Sequence, residues 1–197
     1  MRPDTRVVHC PRLPGETQPT STPLYQTATF AQGSAVEVGP HDYTRSANPT
    51  RDVLEAHLAS LEDAEHGYAY VSGMAALSAV TRLVPAGGTI LAGEDLYGGT
   101  YRLLSRIAPR WSLRVHSVDT TDLDAVSTAL PGTDLVLVES PTNPLLQITD
   151  LHGLCEVAHD HGARVCVDNT LLSPLLQRPL DLGADLVLHS ATKHLSG

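Results

Sequence analysis

Lysine is almost absent from this chain. Of its 13 lysine and arginine residues only Lys193 is lysine, and the other twelve are arginine. No basic cluster occurs and the formal net charge is −9. That balance argues against nucleic acid and anionic membrane as partners. No stretch is long and apolar enough to span a bilayer. The polar start, Met1-Arg2-Pro3-Asp4-Thr5-Arg6, is not followed by the apolar segment of a secretory leader. The expectation is a soluble cytoplasmic protein. Cysteine is scarce too: Cys10, Cys155 and Cys166 are odd in number and form no CxxC, so there is no disulfide framework. Cys166 lies in an apolar strand pattern and reads as a small core residue. Histidine is plentiful, but His152, His159 and His161 are spaced by seven and two residues and do not share a helix face as i, i+4 would. With no HExxH either, a metal centre is not expected.

What remains is enough for one α/β domain, or a domain with an arm. Residues 1 to about 50 are rich in proline (Pro11, Pro14, Pro19, Pro23) and show no sustained period, which predicts an extended arm. An apolar stripe of Val53, Leu54, Leu58 and Leu61 predicts a helix over 49–62. From there the pattern alternates. Strands are expected at 68–71, 89–92, 113–118, 135–139, 164–168 and 186–189, with helices at 74–84, 100–107, 122–130, 151–161 and 174–180. Continuous apolar strands between amphipathic helices predict a mostly parallel sheet covered by helices on both faces.

Ligands of such sheets sit beyond the strand carboxyl ends, and the polar residues there form a coherent set. Lys193 follows the last apolar run in Ser190-Ala191-Thr192-Lys193-His194. A primary amine at the end of a buried strand suits Schiff-base chemistry, because lysine can lose its proton when desolvated and arginine cannot. Asp168 ends one strand and Glu139 another. Ser72-Gly73-Met74 opens a helix whose free N–H groups suit a phosphate. Tyr97-Gly98-Gly99 follows a further strand. Pyridoxal phosphate needs a lysine for its aldehyde, a carboxylate against its ring nitrogen, an anion cradle and a flat group on its ring. Lys193, Asp168, Ser72-Gly73-Met74 with Ser190 and Thr192, and Tyr97 could supply these in turn.

Longer motifs extend this. Tyr43-Thr44-Arg45 with Asn48-Pro49-Thr50-Arg51, Ser72-Gly73-Met74-Ala75-Ala76, Asp95-Leu96-Tyr97-Gly98-Gly99, Glu139-Ser140-Pro141-Thr142-Asn143-Pro144, Val167-Asp168-Asn169-Thr170 and the segment from Leu182 to Lys193 occur in this order. In these the chain resembles the cystathionine (Cys/Met metabolism) family of pyridoxal-phosphate enzymes. The resemblance implies fold-type-I architecture, with Lys193 as Schiff-base lysine and proton shuttle. Asp168 would pair with the ring nitrogen, and Tyr97 would stack on the ring and assist proton transfer. Gly73, Met74, Ser190 and Thr192 would hold the phosphate, and Asn143 would approach the phenolic oxygen. Tyr43 and Arg45 would reach the phosphate of a neighbouring subunit, which implies a homo-oligomer, a tetramer, with sites shared across a dimer.

Members of that family are about twice as long. The expected organisation is therefore an arm over 1–50, an incomplete large cofactor domain over 51–197, and a small C-terminal domain missing past Gly197, together with the arginine that binds the substrate carboxylate. Arg164 and Arg178 read as surface residues. The expected activity is a carbon–sulfur lyase acting on cystathionine or a related sulfur amino acid. The alternatives are a γ-synthase working on an activated homoserine ester, and an inactive half that needs a partner chain. Gly99 and Thr100 stand where methionine γ-lyases typically carry a cysteine, which argues against that subgroup.

Overall fold

The apolar runs become strands where both of their faces can be buried. In the computed structural model, which describes residues 2–9 and 19–196, five strands form one all-parallel sheet. Met1, Cys10, Pro11, Pro14 and Gly197 lie outside the described residues. The strands are β1 (Thr89–Gly93), β2 (Arg114–Val118), β3 (Leu135–Glu139), β4 (Arg164–Asp168) and β5 (Leu186–Leu188), in the order β2-β1-β3-β4-β5.

The chain divides into two units, Met1–Ala69 and Tyr70–Gly197. The first contains a short helix α1 (Pro3–Val8) and α2 (Pro49–Glu62), and the described residues 19–48 between them form no helix. Asn48 caps α2 by accepting the Thr50 N–H at 2.9 Å, and Pro49 fills the first turn, where no N–H is needed. Arg6 donates to the Ser60 carbonyl at 2.7 Å, and His57 donates to the Arg6 carbonyl at 2.8 Å. These bonds group α2 with the segment before it. The predicted irregular arm thus holds one unpredicted helix, whose signals were Pro3 in its first turn and Asp4 beside it.

The second unit contains the sheet, with α3 (Gly73–Thr81), α4 (Gly98–Arg102), α5 (Leu123–Ala129), α6 (Leu151–Asp160) and α7 (Ser173–Leu176). Alternate strand residues face opposite sides. Leu91, Val136, Val138, Val165 and Val167 pack with Val126 of α5 and with Leu154 and Ala158 of α6. Ile90, Ala92, Leu135, Leu137 and Cys166 pack with Leu77 of α3 and with Leu103 and Leu104 beyond α4. Both faces are covered, as a parallel sheet requires. Cys166 is fully buried, and burial pushes its thiol well above the usual range, so it serves as core.

Two elements depart from expectation. Residues 68–71 form no strand: Val71 is 100% exposed and Tyr68 70%, and no ladder bonds pair this segment. Their apolar pattern has no neighbouring edge to join. The helix expected over 174–180 breaks in two, α7 and a 3-10 turn Pro179–Leu182. Pro179 forces the residue before it out of the helical region, and Arg178 is extended at φ −122° and ψ 94°.

The strand order also locates a ligand site. From β1 the chain steps outward to β2, then returns to place β3 on the other side of β1. The connections after β1 and β3 therefore diverge and leave a crevice at their carboxyl ends, where open α/β sheets bind ligands. Among the described residues no helix is long and apolar enough to cross a membrane.

Candidate active site

Two carboxylates stand side by side at the carboxyl edge of the sheet. Glu139 ends β3, Asp168 ends β4, and the register pairs them directly. Burial pushes the Asp168 carboxyl above its ordinary value, against the opposing effects of Thr170 and of the nearby His189 ring. Thr170 donates both its N–H, at 3.0 Å, and its hydroxyl to Asp168 Oδ1. Among the described residues none donates to Oδ2. The same Thr170 hydroxyl accepts the Ser190 N–H at 2.8 Å. One threonine thus ties the loop leading to Lys193 to the carboxylate.

Beside that loop lies the start of α3. Ser72 caps it, its Oγ accepting the Ala75 N–H at 3.1 Å. A Cβ on Gly73 would come 2.9 Å from Ser190 Cβ, so only glycine lets the loop after β5 cross the helix start this closely. Gly73, Met74 and Ser190 are therefore together. Thr192 and Lys193 lie in the exposed turn just beyond, where the Lys193 N–H donates to the Ser190 carbonyl at 3.1 Å. This corrects one expectation. β5 ends at Leu188, five residues before the lysine, and the Lys193 side chain is exposed in this chain rather than desolvated at a strand end.

Tyr97 stands across the crevice. Its N–H donates to Glu139 Oε2 at 2.8 Å, and its ring folds back along the first turn of α4. A Cβ at Gly99 would meet Tyr97 Cε1 at 2.4 Å and Met74 Sδ at 2.7 Å. The ring therefore lies over Gly99 beside the Met74 sulfur, while 46% of the residue stays exposed. Burial is the main cause that pushes the Glu139 carboxyl up to about 7, and Asp168 and Asp95 push in the same direction. Asn143 is exposed, in a loop closed by the Thr142 N–H donating to the Gln147 carbonyl at 3.0 Å. Behind it, Gln177 Nε2 donates to the Ser140 carbonyl at 2.8 Å and to Asn169 Oδ1 at 2.9 Å, which clamps the loops after β3 and β4 together.

Tyr43 and Arg45 belong to the first unit. They lie against each other, with the Arg45 guanidinium carbon 5.0 Å from the Tyr43 ring centroid. Arg178 pairs with Asp181, and Arg164 donates to the Leu83 carbonyl at 3.0 Å. His159 pairs with Asp185 at 3.0 Å.

The family model for Cys/Met metabolism PLP-dependent enzymes matches residues 4–197. The chain belongs to this family. It is 58% identical over 178 residues to a chloroplastic cystathionine beta-lyase of Arabidopsis thaliana, covering 90% of this chain and 38% of that protein. It is 43% identical over 196 residues to the cystathionine beta-lyase MetC of Bacillus subtilis, covering 98% of this chain and 50% of that one. Among solved structures, a cystathionine gamma-lyase of Lactobacillus plantarum complexed with L-serine superposes with a TM-score of 0.93 at 41% identity, over 98% of this chain and 51% of that one. The chain thus spans about half the length, or less, of these relatives. The family's cofactor is pyridoxal phosphate, and the residues present fit it. A half-buried carboxylate, to one oxygen of which no described residue donates, matches a protonated pyridine nitrogen. The glycine-permitted approach of Ser190 to the capped start of α3 makes a cradle for an anion.

Three contributors were not singled out as site residues from the sequence. Thr170 stands in the sequence only as part of the Val167-Asp168-Asn169-Thr170 motif. A hydroxyl two residues past an aspartate is a recognisable local hydrogen-bonding pattern and could have flagged it. Glu139 shows in the sequence only as a strand end, because its partner, the Tyr97 N–H, lies 42 residues away. The packing of Gly99 against the Tyr97 ring has no sequence signal.

Proposed function

We propose that the complete protein is a pyridoxal-phosphate-dependent carbon–sulfur lyase acting on cystathionine or a related sulfur amino acid. The observation that carries this is the convergence of Asp168, Tyr97 and the Ser190–Lys193 loop at the carboxyl edge of the sheet. Bound pyridoxal phosphate supplies an electron sink for negative charge developing at the substrate Cα. Asp168, oriented by Thr170, offers Oδ2 to the cofactor's ring nitrogen and holds a proton there. The backbone N–H groups of Gly73 and Met74, with the Ser190 and Thr192 hydroxyls, bind the phosphate. The exposed face of the Tyr97 ring would stack on the cofactor ring, and Asn143 would serve its phenolic oxygen. Lys193 Nζ would hold the cofactor and would be the group that accepts the Cα proton, with Tyr97 Oη as the second acid–base group. Tyr43 and Arg45 reach a neighbouring subunit's phosphate, the guanidinium binding it in bidentate fashion. The sites are then shared across a dimer within a homo-oligomer.

The experiment is product analysis with cystathionine and the complete polypeptide. A β-lyase releases homocysteine and pyruvate, and the similarity to beta-lyases favours that pair. Cysteine with 2-oxobutyrate would make it a γ-lyase. Cystathionine synthesis from an activated homoserine ester and cysteine, without appreciable keto acid, would overturn the lyase reading in favour of the synthase.

A further inference from the structure

Glu139 is a polar group whose placement the proposed chemistry does not use. It is 6% exposed, at the end of the central strand, in register with Asp168 and in reach of the charge of Asp95. Placing two further carboxylates near a buried one opposes ionisation, so a passive core position would favour an apolar residue here. The position does have one specific partner. Glu139 Oε2 crosses from β3 to the connection after β1 and accepts the Tyr97 N–H at 2.8 Å. Tyr97 is the residue preceding α4, and no side chain of its own segment caps that helix. The backbone at Tyr97 is therefore anchored from another strand. The ring hung on it is confined on one side by Gly99 and Met74 and open on the other. Asp95 extends the same anchoring, its Oδ2 accepting the Leu145 N–H from the loop after β3 at 2.9 Å.

We propose that Glu139 is the positioning residue for Tyr97: by holding the Tyr97 N–H across the crevice it sets the plane of the ring against which the cofactor lies. In this role Glu139 acts through Tyr97, whose N–H it holds. This rests on the reading that the Tyr97 ring stacks on the cofactor.

The test is a double-mutant cycle on pyridoxal phosphate affinity of the complete protein, with Glu139→Ala and Tyr97→Ala singly and together. The dissociation constant and the visible circular dichroism of the bound cofactor are the readouts. Glu139→Ala is expected to weaken binding about tenfold, the loss of one anchoring hydrogen bond to a charged group. In the Tyr97→Ala background the same change should alter affinity less than twofold. Glu139→Gln keeps a carbonyl acceptor and should restore most of the affinity and the dichroic band. Equal losses in both backgrounds, or a Gln variant no better than Ala, would overturn the proposal and make Glu139 a packing residue. If Tyr97→Ala alone leaves affinity unchanged, the stacking reading fails, and this proposal fails with it. Thermal unfolding of each cofactor-free variant separates a folding defect from lost positioning, because a folding defect lowers the midpoint equally with and without Tyr97.

Discussion

Replacing Gly99 by alanine tests the arrangement of the site through a single methyl group. The added carbon would sit 2.4 Å from Tyr97 Cε1 and 2.7 Å from Met74 Sδ. Carbon atoms in contact stand about 3.5–4.0 Å apart, so the ring must retreat by roughly 1 Å or more. Both clashing atoms belong to side chains that can rotate, so the fold should survive. Alanine also favours a helix over glycine by about 1 kcal/mol, which works against any loss of stability. What changes is the ring plane. Aromatic stacking contributes about 0.5–1.5 kcal/mol, and 1.4 kcal/mol is tenfold in affinity, so Gly99→Ala should raise the pyridoxal phosphate dissociation constant about two- to tenfold. The assay is titration of the cofactor-free complete protein, followed by visible circular dichroism, with thermal unfolding as the control. An unchanged dissociation constant together with an unchanged dichroic band would show that the cofactor does not rest on this ring.

Asp168→Asn is nearly isosteric and should keep the fold while slowing turnover by about 2–4 kcal/mol, roughly thirty- to a thousandfold; near-normal turnover would make Asp168 a structural residue. The Glu139 carboxyl is raised from 4.5 to about 7 in the fold. Between those values the folded chain keeps a proton that the unfolded chain releases, so stability falls as pH rises through this window and the deficit is complete above it. At about 1.4 kcal/mol per pKa unit, reduced for solvent access, the loss is on the order of 2 kcal/mol. Glu139→Gln should remove that slope, and thermal midpoints at pH 5 and pH 8 that drop equally in both proteins would contradict it. Mixing Arg45→Ala with Lys193→Ala subunits should restore activity, because one hybrid site regains both groups. Mixed dimers that form but remain inactive would place Arg45 and Lys193 in the same subunit's site.

The sheet was legible because a buried parallel strand needs apolar side chains on both faces, and few other elements produce runs like 135–139 and 164–168. Both strands fall where the pattern placed them. The cap at Asn48 and the proline after it fixed the start of α2 for a local reason as well. Residues 68–71 misled because their apolar pattern is the same whether or not a neighbouring strand is present, and pairing is a property of the fold. The place of Asp168 at a strand end and of Ser72-Gly73-Met74 at a helix start was legible because the apolar runs mark where those elements begin and stop. The distribution of work among Thr170, Glu139 and Gly99 could not. It depends on contacts such as Ser190 to Thr170 across 20 residues and Tyr97 to Glu139 across 42. Lys193 was identifiable by being alone. Its exposure in this chain was not, because desolvation depends on what covers a side chain and not on the strand that precedes it.

If Lys193 holds the cofactor, borohydride reduction should fix it there. The complete protein, loaded with pyridoxal phosphate, is reduced, digested and mapped by mass spectrometry. A yellow protein that bleaches on reduction is expected, with the cofactor's mass fixed irreversibly on the peptide containing Ser190-Ala191-Thr192-Lys193 and none on a Lys193→Ala variant. A reduced cofactor recovered on any other residue, or a protein that takes up no pyridoxal phosphate, would contradict it.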